Sequence, residues 1–213
     1  MAVYYDIHPV DPQHRLVSQV ATRLDEGQLI AYPTDSGYAL GCKLGNREGL
    51  DRIRRIRHLD DRHHFTLVCS NFSQLGHFVI VSNAYFRLVK SLTPGPYTFI
   101  LPATHEVPRR MQHPKKRTVG VRIPGTPLVE SMLNALGEPL QSSTLIMPGH
   151  SDAMGVGWEV AETLEHLVDV VIDSAPDGVG VSTEPTTVID LSGPEPIVER
   201  EGAGDISRFI ERV

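Results

Sequence analysis

Cysteines, long apolar runs and a leader-like N-terminus are scarce or missing in this chain of 213 residues. The two cysteines, Cys42 and Cys69, form no Cys-x-x-Cys pair, which argues against a disulfide framework or a cysteine-rich metal site. No apolar run reaches the ~18 residues of a membrane-spanning helix. The N-terminal stretch also lacks the basic and then apolar segments of a secretory signal. We therefore expect a protein of the reducing cytoplasm with no membrane partner.

An overall excess of positive charge is also missing, because the formal net charge is −6. The cations are nevertheless concentrated in residues 51–64 and 109–117, which hold Arg52, Arg54, Arg55, Arg57, Arg62, Arg109, Arg110, Lys115, Lys116 and Arg117. Local positive potential attracts phosphate groups even on an acidic protein. These segments are therefore either phosphate-binding surfaces or two solvated faces.

Helical and strand-like patterns alternate along the chain. The predicted helices are residues 12–27, 46–57, 82–92, 126–136 and 159–168. The predicted strands are residues 28–32, 65–69, 97–101, 118–123, 140–146, 169–172, 187–191 and 196–199. The first strand is expected to end at Pro33. The pattern predicts a layered α/β domain with a mixed sheet, and the length suits a single domain over residues 1–213.

Clusters of polar residues stand at the ends of several predicted strands. Residues 33–41 (PTDSGYALG) come directly after the first strand, and in open α/β sheets ligands lie at the carboxyl ends of strands. A simple turn explains the same residue types. Further clusters are PGPYTFIL at residues 94–101, GVRIP at 120–124, SST at 142–144 and PTTVIDL at 185–191.

Three arginines are candidates for anion binding. Arg122 follows a predicted strand, and its guanidinium suits bidentate contact with a carboxylate or phosphate. Arg55 and Arg57 lie at the predicted C-terminus of a helix, where interaction with the helix dipole is the alternative explanation.

Taken in order, these motifs resemble the YrdC/YciO family over about residues 10–205. The resemblance implies an α/β (α+β) domain of three layers, with a twisted mixed sheet and a concave basic cavity. The best-understood members condense L-threonine, bicarbonate and ATP into threonylcarbamoyl-AMP and release pyrophosphate. That product feeds threonylcarbamoyladenosine formation on tRNA, and members have also been described as RNA-binding.

The resemblance also implies residue roles. The positions implied for the substrate are Thr34, Asp35, Ser36, Tyr38, Arg122 and Ser143. Those implied for the nucleotide are Arg55, Arg57, Thr98, Thr144, Thr186, Thr187 and Arg200. We further expect Arg109, Arg110, Lys115, Lys116 and Arg117 to contact RNA or phosphate, because few aromatic residues are interleaved among them for base stacking.

Three positions depart from the synthase pattern and resemble the YciO branch. Arg55 replaces a lysine, Ser70 stands near an expected histidine, and Leu145 replaces an asparagine. Leucine offers no hydrogen bond to a polar ligand group. We therefore expect nucleotide binding to persist while threonylcarbamoyl-AMP synthesis is weak or absent.

No cofactor is expected to be tightly bound, although Mg²⁺ would accompany ATP. His58, His63 and His64 do not have zinc-finger spacing, so phosphate contact or plain exposure is the favoured explanation over a metal site. Two classes of function stay open. One is a nucleotidyltransferase-like synthase, and the other is a non-catalytic module that binds nucleotide, double-stranded RNA or tRNA.

Overall fold

One mixed sheet of ten strands organises the structure, a computed structural model that describes residues 1–60, 63–175 and 178–210. In sheet order the strands are β1, β8, β2, β3, β7, β4, β6, β5, β9 and β10. Their bounds are β1 Val3–Asp6, β2 Ile30–Thr34, β3 Gly37–Lys43, β4 Thr66–Val68, β5 Tyr97–Pro102, β6 Thr118–Arg122, β7 Leu140–Thr144, β8 Val170–Asp173, β9 Thr187–Asp190 and β10 Ile197–Arg200. Arg62, in the first basic segment, lies outside the described residues.

Seven helices are present in the described part of the chain. They are α1 His14–Asp25, α2 Arg47–Arg57, α3 Phe72–Phe78, α4 Asn83–Leu92, α5 Pro127–Leu136, α6 Gly157–Leu164 and α7 Ser207–Ile210. α2 begins after Asn46, whose side chain accepts a hydrogen bond from the Gly49 amide, and it ends at His58 in the left-handed conformation. None of the helices in the described residues is long and apolar enough to cross a membrane.

Alternation along the strands builds two hydrophobic cores, one on each face of the sheet. Around β2, Ile30 and Tyr32 belong to the core that also contains α1 and α5. Leu29 and Ala31 belong to the other core, together with side chains of α2, α3 and α4. Successive side chains of a strand point to opposite faces, so these two cores give the three layers predicted for the fold. The mixed α/β architecture is confirmed.

One row of paired residues runs across the sheet and shows where the site lies. The row is Ile30, Gly41, Ser142, Thr66, Gly120, Ile100 and Asp190. Directly paired residues project to the same face of a sheet. At the Ile30 end this face is buried in the core with α1 and α5, whereas Ser142, Thr66, Gly120, Ile100 and Asp190 line a cavity.

Several elements differ from the sequence-based expectations. β2 continues through Pro33, which pairs with Tyr38, so the predicted end at Pro33 is wrong. β8 pairs with β2 at Ile30 and Ala31. Pro33 lies beyond this ladder, so its missing N–H removes no hydrogen bond to β8. The sequence patterns did not predict four of the observed elements, β1, β3, α3 and α7. β3 contains Gly41, at which a Cβ would approach the Tyr32 ring to 2.8 Å.

Candidate functional site

A concave cavity of about 440 Å³ lies over β4, β5, β6, β7 and β9. On β5, Thr98 and Ile100 face this cavity, while Tyr97, Phe99 and Leu101 are buried in the core on the other face. A buried apolar residue therefore follows each cavity-facing residue, and the packed core holds the cavity wall in place. The volume falls within the roughly 300–1,000 Å³ typical of small-molecule sites.

Arg122 is the most buried cation of the cavity, with 7% of its surface exposed. Its guanidinium donates to the hydroxyl of Ser36 at 2.9 Å and to the carboxylate of Asp35. The Nε of Arg122 is buried and has no hydrogen-bond partner among the described residues. Three expected substrate-site residues, Asp35, Ser36 and Arg122, are thus in direct contact.

Arg57 reaches the cavity from the last position of α2. It donates to the Ile146 carbonyl at 3.3 Å and to the hydroxyl of Ser143. The same hydroxyl shares a hydrogen bond of 3.0 Å with Nε2 of His63. Burial lowers the pKa of Arg57, but arginine keeps its charge in proteins. Arg57, Ser143 and His63 therefore form one polar chain with a fixed cation at its end.

The opposite wall is formed by β5, β9 and β10. Arg200 donates to the Thr186 carbonyl through Nε at 3.1 Å and Nη2 at 2.8 Å, and Nη2 also reaches the Thr186 hydroxyl. That hydroxyl lies 3.0 Å from the Thr98 hydroxyl. Burial and the nearby Arg122 lower the pKa of Arg200. Thr98, Thr186 and Arg200, three positions that the resemblance assigns to the nucleotide, thus form a connected group.

Residues 109–117 approach the cavity through His113 and Lys116. Lys116 lies 3.4 Å from the carboxylate of Asp190. Burial raises the pKa of Asp190, but hydrogen bonds from Ser192 and Lys116 outweigh it and leave that pKa lowered. The other predicted phosphate-patch residues, Arg109, Arg110, Lys115 and Arg117, are exposed.

The balance of charge in the cavity is positive. Its lining contains the cations Arg57, Lys116, Arg122 and Arg200 and the carboxylates Asp190 and Glu199. The hydroxyls are those of Thr34, Thr66, Thr98, Thr118, Ser142, Ser143, Thr144 and Thr186. The concave basic cavity expected from the resemblance is therefore present, and its donor groups suit an anionic ligand.

Five expected site residues do not line this cavity: Asp35, Ser36, Tyr38, Arg55 and Thr187. Asp35 and Ser36 are connected to it through their contacts with Arg122. The hydroxyl of Tyr38 donates to Asp173 on the other face of the sheet, because Tyr38 alternates with the cavity residue Ala39. Thr187 is fully buried, and its hydroxyl contacts the 202–204 loop. Arg55 is exposed on another side of α2 from Arg57 and contacts the Asp51 carbonyl.

The two other departures from the synthase pattern also lie outside the cavity. Leu145 is fully buried in the hydrophobic core, between the cavity residues Thr144 and Ile146. Ser70 is buried, and its amide donates to the Gln74 side chain. The expectation that Leu145 stands opposite a polar ligand group is wrong, because its side chain packs in the apolar core.

Sequence reasoning missed some of the cavity residues. His113, Thr66, Thr118, Asp190 and Glu199 line it, but none had been assigned to the substrate or the nucleotide. For Thr66 and Thr118 the available signal was alternation, since Thr66 and Val68, or Thr118 and Gly120, share one face of a strand. His64 and His113 are stacked, with ring centroids 5.1 Å apart. No group of three or more His, Cys, Asp or Glu in the described residues could hold a metal ion.

The fold and site define an α/β protein with a positively charged cavity on one face of a mixed sheet. A model of the Sua5/YciO/YrdC family, described as "Telomere recombination", matches residues 22–202. The chain belongs to this family.

Similar proteins come from both branches of the family. The chain is 45% identical to the uncharacterized protein YciO of Escherichia coli K12 over 99% of this chain and 100% of that protein. The crystal structure of E. coli YciO matches with a TM-score of 0.92, over 99% of this chain and 100% of that one. Threonylcarbamoyl-AMP synthase of Vibrio vulnificus is 28% identical, over 73% of this chain and 84% of that protein. P. abyssi Sua5 complexed with L-threonine has the same fold, with a TM-score of 0.84 and 23% identity, over 94% of this chain and 58% of that one.

Proposed function

We propose that the cavity binds an adenine nucleotide and a small carboxylate side by side, as in a synthase of the threonylcarbamoyl-AMP type. The observation that carries this proposal is Arg122. Its guanidinium is buried, it shares a cavity with three other cations, and its Nε has no hydrogen-bond partner among the described residues. Burying an unpaired donor is costly, so a site of this kind is suited to an anionic acceptor.

The remaining cations are assigned to the nucleotide. Arg57 is anchored by Ser143 and the Ile146 carbonyl, and Arg200 is anchored by Thr186, so both are held in place before a ligand arrives. Such fixed charges favour phosphate binding and the departure of pyrophosphate without further reorganisation. The side chain of Lys116 is 59% exposed and is paired with Asp190. Mg²⁺ would enter with ATP.

The carboxylate is proposed to be L-threonine, whose amine in its neutral form attacks bicarbonate with loss of water to give a carbamate. A carbamate oxygen then attacks the α-phosphate of ATP and displaces pyrophosphate. The similarity to the V. vulnificus synthase and to Sua5 complexed with L-threonine supports this choice. Arg122 would contact the threonine carboxylate and would share its guanidinium with Asp35. Asp35 is 22% exposed in its side chain and is available to the positive amino group of the same molecule.

Pyrophosphate release from ATP tests the proposal. The assay contains Mg²⁺, and bicarbonate and L-threonine are each left out in turn, while calorimetry measures ATP and AMP binding in parallel. Release that requires both bicarbonate and threonine establishes the synthase reaction. Nucleotide binding without release leaves the non-catalytic nucleotide-binding module. No binding of ATP or AMP at millimolar concentration overturns the proposal.

RNA binding is the second candidate function, and the exposed cations of residues 109–117 favour it. The four other cations lie in the same segment as Lys116, which also lines the cavity. An RNA backbone bound to this segment would therefore reach the cavity edge. Contacts with phosphate groups make affinity fall steeply with salt. We expect the double variant Lys115→Glu and Lys116→Glu to flatten that salt dependence on a double-stranded RNA or tRNA probe. Salt-independent binding contradicts this candidate.

A further inference from the structure

Three histidines from two separate segments meet at one side of the cavity. His63 and His64 come from the segment before β4, and His113 comes from residues 109–117. All three line the cavity, where His63 bonds Ser143 beside Arg57 and His64 stacks on His113. Neither the substrate nor the nucleotide assignment above uses these rings.

Hydrogen bonds fix which ring nitrogens are available. Nδ1 of His113 accepts the backbone amides of Lys115 at 3.2 Å and Lys116 at 3.0 Å. In its neutral form this ring therefore carries its proton on Nε2, which can donate. For His63, the arginine beside Ser143 can only donate, so the Ser143 hydroxyl can turn its own proton toward Nε2 of His63.

The surroundings disfavour the charged forms of His63 and His64 in the free protein. Burial, followed by the positive charges of Arg57, His64 and Arg54, lowers the pKa of His63 to about 4, against an opposing effect of Asp60. Burial and the neighbouring His113 lower the pKa of His64. The other charged groups of the same cavity are Lys116, Arg122, Asp190, Glu199 and Arg200.

We propose that His63, His64 and His113 form a phosphate subsite, in which His113 donates through Nε2 while His63 and His64 take up protons when phosphate groups bind. The proposal rests on the nucleotide-binding function given above. An anion next to an imidazole favours the charged form, which reverses the effect of Arg57. Each ring that gains a proton then has two N–H donors, and a charge-assisted hydrogen bond to phosphate is stronger than a neutral one.

Calorimetry in buffers of different ionisation enthalpy measures the proton uptake directly. The probes are inorganic pyrophosphate and ATP with Mg²⁺, at pH 7.5 and pH 6.0. We expect net uptake by the wild-type protein and smaller uptake by His63→Gln, because glutamine keeps a hydrogen-bonding group near Nε2 but does not titrate. The ratio of wild-type to variant affinity should rise as pH falls, by up to about tenfold per pH unit for each proton taken up. The ligand's own titration cancels in this ratio.

Two further sets of variants test whether the effect belongs to this subsite. One is a control at a histidine outside the cavity, and the other replaces His64 and His113. His105 has a side chain that is 91% exposed and contacts Glu106, so His105→Gln should leave uptake and affinity unchanged. The double variant His64→Gln and His113→Gln should weaken pyrophosphate binding several-fold. Melting temperatures of all variants show whether a loss of binding follows from a loss of folding.

The outcomes distinguish this inference from the function on which it rests. Nucleotide and pyrophosphate binding with no proton uptake, and with affinities unchanged in both histidine variants, overturns the subsite and leaves the function intact. Absence of all nucleotide and pyrophosphate binding overturns the function and the subsite together. Histidine C2–H resonances, followed by NMR during a pH titration, should show the His63 pKa rising when pyrophosphate is added.

Discussion

At the scale of single residues, Arg122 combines its proposed ligand role with a structural contact. It is paired with Asp35 and bonded to Ser36, so its side chain is already oriented in the absence of ligand. Preorganisation of this kind reduces the entropy lost on binding. Removal of the guanidinium also leaves Asp35 without its positive partner. The loss of ligand binding and the loss of this internal contact therefore need separate variants.

Arg122→Gln should weaken binding of the carboxylate ligand by about tenfold or more, because a hydrogen bond to a charged group contributes ~1.5–3 kcal/mol. Ser36→Ala is the matched control, since it removes one bond to Arg122 and keeps the charge. Calorimetry with L-threonine in the presence of ATP gives the affinities, and thermal melting gives the stability. An unchanged affinity in Arg122→Gln would leave this arginine with a purely structural role.

Leu145→Asn should destabilise the protein and should not restore synthase turnover. The side chain is fully buried in the apolar core, where an unsatisfied amide costs ~1–3 kcal/mol in addition to lost packing. Leu145→Met keeps the volume and should cost less than ~1.5 kcal/mol. Urea denaturation measures the free energy of unfolding of both variants. A gain in turnover without loss of stability would show that position 145 reaches the cavity after all.

At the scale of elements, two neighbouring threonines at the start of β9 face opposite sides of the sheet. The Thr186 hydroxyl contacts Thr98 and Arg200 in the cavity. The Thr187 hydroxyl donates to the Gly204 carbonyl at 2.7 Å and accepts the amides of Gly202 and Gly204 at 3.0 Å each. Because the two side chains are chemically identical, replacing each in turn compares an effect on ligand binding with an effect on folding stability.

Thr186→Val should weaken nucleotide binding roughly 2- to 10-fold with little effect on stability, because Arg200 keeps its two bonds to the Thr186 carbonyl. Thr187→Val should lower the free energy of unfolding by ~1–3 kcal/mol, since it leaves backbone amides without an acceptor, and should preserve nucleotide affinity. Calorimetry and denaturation of the two variants give the test. Equal effects on affinity would contradict the opposite placement of the two hydroxyls.

At the scale of the whole molecule, stability should depend on pH through His63. Its folded-state pKa is lowered from 6.5 to about 4, so between these values the unfolded chain binds a proton that the folded protein does not. The contribution is therefore present in full above pH 6.5 and is lost as pH falls through the folded-state value. Denaturation midpoints at pH 7 and pH 5 should differ less in His63→Gln than in the wild type. The same midpoint shift in both proteins would assign the acid sensitivity to other groups.

The sequence by itself determined the layered α/β class, five of the helices and the order of the motifs, because hydrophobic periodicity and capping residues such as Asn46 are local signals. Its motifs singled out Arg57, Thr98, Arg122 and Arg200, which the structure brings to one cavity. Only the tertiary structure decided which neighbours of these residues share the site. A shift of one position along a strand changes the face, so Thr187 and Leu145 are structural while Thr186 and Thr144 line the cavity. The meeting of His63 and His64 with His113 also depends on the fold, because it joins segments about fifty residues apart in sequence.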